Sequence, residues 1–444
     1  MRFSDLDGKT VGVWGLGREA RSLARQLTER VPGARLTVVV REDPSDSASE
    51  PWWEAAAIVG PEAAVAALSS CEVLVRSPGV SIHKPELVEL AARGVATTTA
   101  TALWVAERAG QHVIAVTGTK GKSTTASLLA HLLSADRVAH LAGNIGRPAL
   151  DLLDVPDSDW VVLELSSYQI ADLRQGPEVA AITNLYREHI DWHRSEDAYR
   201  REKLRLFSLP GLAACAYPAG FADIEAAVAA CPRRAAFGDD QGWHVTGDGI
   251  AHGDGTAVAS VDVPLRGEHN ALNLCAALAA IDAAGLPRPR LPDALRGVAP
   301  LPHRLQTVLE RDGVEWIDDS ISTTPESSLA AIAAFPERPV VLIAGGVDRD
   351  QDFSELGRTV AERDVVLVVL PVAGSRVASA ARDAGLEPGR IVMADAMEDA
   401  VEAARRRAAP RSVVLLSPAA PSYNSYRNFE ERGDHFASLA GGSS

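Results

Sequence analysis

His112–Thr125 reads HVIAVTGTKGKSTT, and this stretch decides the fold. The apolar, β-branched run His112–Thr117 gives way to a glycine turn, and Gly121-Lys122-Ser123 opens a helical segment from about Lys122. A strand feeding a glycine turn and then a helix is the unit of a parallel sheet with crossover connections. Glycine lets the backbone approach an anion, and the free N–H groups of the helix's first turn then point at it. Lys122 can neutralise outer phosphates, while the Ser123 hydroxyl can bind Mg²⁺. The loop is shorter than the standard phosphate loop, because Val116 stands where its first glycine would be. Gly118, Thr119, Lys120, Gly121, Lys122, Ser123 and Thr124 are accordingly read as an ATP site.

The same alternation extends in both directions. Upstream, Thr10–Trp14, Leu36–Val40 and Glu72–Arg76 read as strands, with a helix over Glu19–Arg30. Downstream, Trp160–Leu165 and Ala180–Asn184 are strands, and Trp243–Pro264 reads as a small β-rich insertion. After Val298–His303 the pattern restarts with strands at Gly313–Ile317, Val340–Ala344, Val365–Val369 and Ser412–Leu416. A chain of 444 residues is too long for one compact core. Three α/β domains are therefore expected, over 1–110, 111–300 and 301–444. The outer two are Rossmann-like, and the central one is P-loop ATPase-like.

Composition narrows the function. Acidic residues outnumber basic ones 59 to 44, for a net charge of −15, and no basic segment stands out, so nucleic acid is not an expected partner. No apolar run reaches the length of a membrane span. The N-terminus lacks the apolar core of a secretion signal, and a cytoplasmic protein is expected. The cysteines Cys71, Cys215, Cys231 and Cys275 have no metal-ligand spacing and read as buried apolar residues.

Other residues gain meaning from their setting. Glu164 ends an apolar strand, at the edge where open parallel sheets bind ligands, and its carboxylate suits Mg²⁺. His189 follows the strand Ala180–Asn184 as a possible second ligand. Lys203, in the helical run Asp197–Phe207, reads on its own as a surface lysine. Gly15-Leu16-Gly17 followed by Ala20 is a weak dinucleotide turn, and Arg41 could meet a phosphate. Asn270 could be a helix N-cap and Asn273 an exposed polar residue.

The order of these segments resembles that of the Mur ligase family. TGTKGKSTT is similar to its ATP loop, and GNIG at Gly143–Gly146, LELSSYQ at Leu163–Gln169 and ITN before His189 and Asp191 follow in the family's order. So do YRREK ending in Lys203, GEHNALN at Gly267–Asn273, PHR at Pro302–Arg304, DDS at Asp318–Ser320, AGG at Ala344–Gly346 and NFEERG near the C-terminus. The resemblance covers nearly the whole chain.

It implies the three-domain Mur ligase architecture and a ligase that activates a carboxylate as an acyl phosphate before an amine attacks. Glu164 and His189 resemble the metal ligands, joined by Ser123 and by Lys203, which is carbamylated in this family. Two Mg²⁺ ions are expected. Lys122, Glu164, His189 and Lys203 form the implied catalytic set. Asn270 and Asn273 match the adenine end of ATP, and Arg304 and Asp319 match residues that reach ATP when domains close. Gly15, Leu16, Gly17, Arg41, Gly79, Asn144 and His189 match the side that holds a UDP-sugar.

The acceptor region departs from the D-glutamate-adding pattern, which reads approximately DSKATN. Here Asp319-Ser320-Ile321-Ser322-Thr323-Thr324 places Ile321 at the lysine and Thr324 at the asparagine. The lysine that normally meets the glutamate side chain is Arg349, whose guanidinium can bind a carboxylate through two parallel hydrogen bonds. Thr323, Arg349, Ser422 and Tyr426 are the expected acceptor residues. The resemblance thus implies addition of L-glutamate to UDP-N-acetylmuramoyl-L-alanine by a monomer, with a separate epimerase acting afterward. Addition of D-glutamate, a folylpolyglutamate synthase-like activity and a non-catalytic nucleotide-binding regulator are the alternatives.

Overall fold

The computed structural model of the chain describes residues 1–42, 51–188, 190–253 and 255–441. These form two compact units, one of Met1–Val263 with Leu272–Arg296, the other of Pro264–Ala271 with Gly297–Ser444. The division falls inside the helix Glu268–Ala284.

The first unit holds two sheets. The N-terminal one has five strands in the order Ala57–Val59, Arg35–Val40, Thr10–Trp14, Val73–Arg76, Ala96–Thr98. All its pairings are parallel. Its connections leave the central strand in opposite directions, which opens a crevice at the carboxyl ends. The glycine turn of GLG sits there, with Gly15 at φ 94° and Gly17 as N-cap of the helix Arg18–Arg30.

The second sheet has nine strands, and Val113–Thr117 runs between Trp160–Glu164 and Val179–Ile182. All five residues of that strand are buried, as expected for a parallel strand covered on both faces. The insertion is an antiparallel meander of Trp243–Thr246, Gly249–His252 and Gly255–Ala259, added at the edge through Phe237 and Trp243. One apolar core joins the two sheets, with Val13, Leu23, Leu103, Ala115, Leu163 and Ile182 among its members. Truncating a residue such as Leu163 to alanine would cost about 2–5 kcal/mol.

The second unit is a six-stranded sheet in the order Gln306–Arg311, Val314–Asp318, Val413–Leu416, Val340–Ala344, Val365–Val369, Ile391–Met393. Only the first pairing is antiparallel. Separate apolar clusters cover its two faces, one around Leu342 and Leu367, the other around Trp316, Ile343 and Phe436.

Candidate active site

The carboxyl end of Val113–Thr117 delivers the phosphate loop, and the next strand braces it. Thr119 N–H donates to the Asn184 carbonyl at 3.1 Å, and Lys120 N–H donates to Asn184 Oδ1 at 2.8 Å. Thr183 Oγ1 and Asn184 Nδ2 both donate to the Lys120 carbonyl, at 2.6 and 3.0 Å. Two positions demand glycine. A Cβ on Gly118 (φ 145°) would lie 1.9 Å from Thr183 Oγ1, and one on Gly121 (φ 81°) would lie 2.1 Å from Asn273 Oδ1. Asn273 therefore sits against the loop, and its Oδ1 also accepts from Thr125 Oγ1 at 3.3 Å. Gly121 caps the helix Lys122–Leu133, so the first-turn N–H groups face the loop.

Lys122 Nζ donates to the Thr119 carbonyl at 2.8 Å, and Lys120 Nζ donates to Glu188 Oε1 at 2.6 Å. Lys203 is not on the surface as its helix alone suggests: it is only 1% exposed. Its Nζ donates to the Gly118 carbonyl at 2.8 Å and lies 5.1 Å from the Tyr199 ring centroid. Burial, followed by the Lys122 ammonium, holds the Lys203 pKa well below the usual lysine value, against the opposing charges of Glu188 and Glu164.

Glu164, also 1% exposed, ends the strand Trp160–Glu164. Its Oε1 accepts from Asn144 Nδ2 at 3.0 Å, and its Oε2 is buried without a hydrogen-bond partner. A buried carboxylate oxygen lacking a donor is costly unless a cation fills the role. That orphaned oxygen and the Ser123 hydroxyl, one residue into the helix, are oxygen donors of the kind that Mg²⁺ prefers. Among the described residues no three His, Cys, Asp or Glu side chains converge as a metal cage. His189 lies outside the described residues.

In the crevice of the N-terminal sheet, Leu16 is buried, Arg41 is partly exposed and Gly79 faces open space. Arg18 reaches the GNIG turn, where it donates to the Gly146 and Asn144 carbonyls at 3.2 and 3.3 Å. Sequence reasoning did not single out Glu19, although it stands beside the glycine turn. Its Oε1 accepts from Gln169 Nε2 at 2.6 Å and Thr101 Oγ1 at 3.1 Å, and burial raises its pKa. Sequence reasoning likewise did not single out Thr183 and Asn184, the last two residues of ITN. Their role is visible in hindsight as a polar pair ending an apolar strand.

In the second unit, Asp319 is buried. Its Oδ1 accepts from Leu305 N–H at 3.2 Å, and its Oδ2 accepts from Ser322 Oγ at 2.6 Å and Ser417 Oγ at 2.7 Å. Burial still pushes its pKa up to about 6, against those hydroxyls and the Arg304 charge. Asn270 Nδ2 donates to the Arg266 carbonyl at 2.7 Å, so the residue is buried rather than waiting at an open helix start. Arg432, from NFEERG, was not foreseen. It is 1% exposed and donates to Ser320 Oγ, Ser320 O and Ala420 O at 3.0, 2.8 and 3.0 Å.

The expected acceptor residues divide. Tyr426 lines a cavity of about 260 Å³ with Gly346, Glu398, Arg432 and His435, and its hydroxyl meets His435 Nδ1 at 2.8 Å. Arg349, Thr323 and Ser422 do not line it. Ser422 is buried, Thr323 is partly exposed and Arg349 stands exposed on the loop after Val340–Ala344.

The chain is similar to known proteins along nearly its whole length. The Mur ligase middle domain matches residues 116–281, and the Mur ligase glutamate ligase domain matches residues 303–420. A protein of Xanthomonas euvesicatoria pv. vesicatoria named UDP-N-acetylmuramoyl-L-alanine--L-glutamate ligase is 41% identical over 460 residues, covering 99% of this chain and 97% of its own length. A Micromonospora protein of the same name is 41% identical over 450 residues, covering 98% and 97%. Two Thermotoga maritima structures share the fold. The UDP-N-acetylmuramate-alanine ligase has a TM-score of 0.62 at 17% identity and covers 96% of this chain and 99% of its own. The MurF ligase in complex with ADP has a TM-score of 0.61 at 16% identity, with 99% and 96% covered.

Proposed function

This chain belongs to the Mur ligase family of ATP-dependent, amide-forming ligases, and on that premise we propose that it joins L-glutamate to UDP-N-acetylmuramoyl-L-alanine. The observation that carries the reading is the near-full-length likeness to proteins named for that reaction, at 41% identity. The Ile321, Thr324 and Arg349 departures from the D-glutamate pattern agree with it.

We assign residues 1–110 to the UDP-sugar end of the substrate, 111–300 to ATP and 301–444 to the amino acid. Gly15, Leu16, Gly17, Arg41, Gly79 and Asn144 hold the nucleotide-sugar. The backbone from Gly118 to Thr124 cradles the phosphates, with Lys122 at the outer ones. Asn270, Asn273, Arg304 and Asp319 complete the nucleotide set, and Thr323, Arg349, Ser422 and Tyr426 receive the amino acid.

The carboxylate of the UDP-linked substrate attacks the γ-phosphorus of ATP, the bond to the bridging oxygen breaks, and ADP leaves an acyl phosphate. The glutamate amine then attacks the acyl carbon, phosphate departs, and the ammonium proton is lost as the amide forms. Mg²⁺ held by Ser123, Glu164, His189 and a carbamylated Lys203 would offset the charge gathered on the phosphates. Lys122 adds a fixed positive charge, and Asn144 orients Glu164. Burial favours the neutral Lys203 amine, the form that attacks carbon dioxide in carbamylation. Holding the reactants together supplies much of the rate.

We further propose that the protein works as a cytoplasmic monomer and that an epimerase inverts the added residue afterward. Among the described residues no helix is long and apolar enough to cross a membrane. The test is phosphate release from purified protein with ATP, Mg²⁺, UDP-N-acetylmuramoyl-L-alanine and L-glutamate, omitting each in turn. Release should require all four. Release without the UDP-substrate would sink the proposal.

A further inference from the structure

The loop that carries Arg349 reads VDRDQDF over Val347–Phe353, so three aspartates lie within three residues of one arginine. Left alone, Asp348 and Asp350 would compete for Arg349 and repel an acidic amino acid. The structure places a second arginine behind them. Arg376, on the helix Gly374–Asp383, donates from Nη1 to Asp348 Oδ1 at 2.5 Å, and the same nitrogen lies 3.6 Å from Asp350 Oδ1. Its Nη2 donates to the Gln351 carbonyl at 2.9 Å, and its guanidinium carbon lies 5.5 Å from the Phe353 ring centroid.

The loop is fixed from within and from its other side as well. Asp348 Oδ1 also accepts the Asp350 N–H at 2.9 Å, the side-chain turn that aspartate makes two residues ahead. Asp350 itself adopts φ 55°. Gln351 Nε2 donates to the Thr323 carbonyl at 2.9 Å, which ties the loop to the segment bearing the substituted acceptor positions. Arg349 therefore stands at the apex of a braced turn. Among the described residues no hydrogen bond or ion pair engages its guanidinium.

We propose that Arg376 is a positioning residue for acceptor recognition, which braces the Arg349 turn and neutralises Asp348 so that Arg349 is left to bind the side-chain carboxylate of the incoming amino acid. The inference rests on the reading of this site as a glutamate pocket. Asp348 dominates the charge term, since its side chain is 26% exposed whereas Asp350 is fully in solvent, where an ion pair is worth little. A lysine at 376 would keep the charge but could not hold Asp348 and the Gln351 carbonyl with one planar fork.

The test is steady-state kinetics on the full chain, with KM measured separately for L-glutamate and ATP. Arg376→Ala should raise the glutamate KM about tenfold, the scale of one charge-assisted hydrogen bond, and leave the ATP KM near wild type. Arg376→Lys should fall between. Asp348→Asn added to Arg376→Ala should recover part of the lost glutamate affinity, because the asparagine oxygen still closes the turn while the competing charge is gone. Melting temperatures identify any variant that fails to fold, in which case Arg376→Lys alone and with Asp348→Asn carry the comparison. A glutamate KM unmoved by Arg376→Ala, with Arg349→Ala raising it, overturns the inference and leaves the glutamate pocket intact. Equal rises in the glutamate and ATP KM, or no recovery on adding Asp348→Asn, also overturn it. An Arg349→Ala enzyme with wild-type glutamate KM overturns the pocket reading itself.

Discussion

Asn144 Nδ2 donates to one oxygen of the Glu164 carboxylate at 3.0 Å, while the other oxygen lies buried without a donor. The amide fixes how the carboxylate is turned and leaves its second oxygen at the position proposed for Mg²⁺. Removing such an orienting partner commonly costs ten-fold or more in metal affinity. Asn144→Ala should therefore raise the Mg²⁺ concentration for half-maximal activity about tenfold, read from Mg²⁺ titrations at saturating ATP. An unchanged titration with a raised KM for the UDP-substrate would make Asn144 a sugar contact alone.

Lys203 carries a prediction of a different kind. Its amine donates to the Gly118 carbonyl at 2.8 Å inside the phosphate loop, and burial favours the uncharged form. Lys203→Ala should lose most activity, and added short carboxylates such as formate or acetate should restore part of it by supplying the missing anionic oxygen. Full activity in the unrescued variant would remove Lys203 from the chemistry.

Asp319 links the site to pH. Its folded pKa of about 6 lies above the usual 3.8, so between those values the folded state binds more protons than the unfolded one. Stability should fall as pH rises through that window. Asp319→Asn should flatten the slope and stabilise the protein at pH 7 by at most roughly 3 kcal/mol, while weakening ATP use. Urea midpoints at pH 4, 5, 6 and 7 decide it, and an identical pH slope in the variant would contradict the account.

Much of this architecture was legible because its central strands are long apolar runs. Thr10–Trp14, Val113–Thr117 and Trp160–Glu164 stand where their β-branched residues indicated. The edges were not. Ala57–Val59, Ala96–Thr98 and Ile391–Met393 are three residues each, too short to set a period, and Gln306–Arg311 is a largely polar edge strand. The phosphate loop announced itself through glycines that the backbone requires. The buried charges did not. Lys203 shares its helix with Arg200, Arg201 and Glu202, and only tertiary packing turns it inward. Arg432 finds its partners at Ser320 and Ala420, and Glu19 finds them at Thr101 and Gln169, at separations local patterning does not span.

Arg349 is the residue on which acceptor choice turns in this account. Arg349→Lys keeps the charge but loses the planar fork, so the glutamate KM should rise about three- to tenfold, as for a lost bidentate contact, with the ATP KM unaffected. An unchanged glutamate KM would put Arg349 outside the pocket.

The most direct test of the central claim compares the two enantiomers of glutamate under one set of conditions. Phosphate release with ATP, Mg²⁺ and UDP-N-acetylmuramoyl-L-alanine should be supported by L-glutamate and not by D-glutamate, with the product carrying an L-glutamyl residue on chiral analysis of its hydrolysate. Release with D-glutamate alone would contradict the account, and would reduce Ile321 and Arg349 to sequence drift within a D-glutamate ligase.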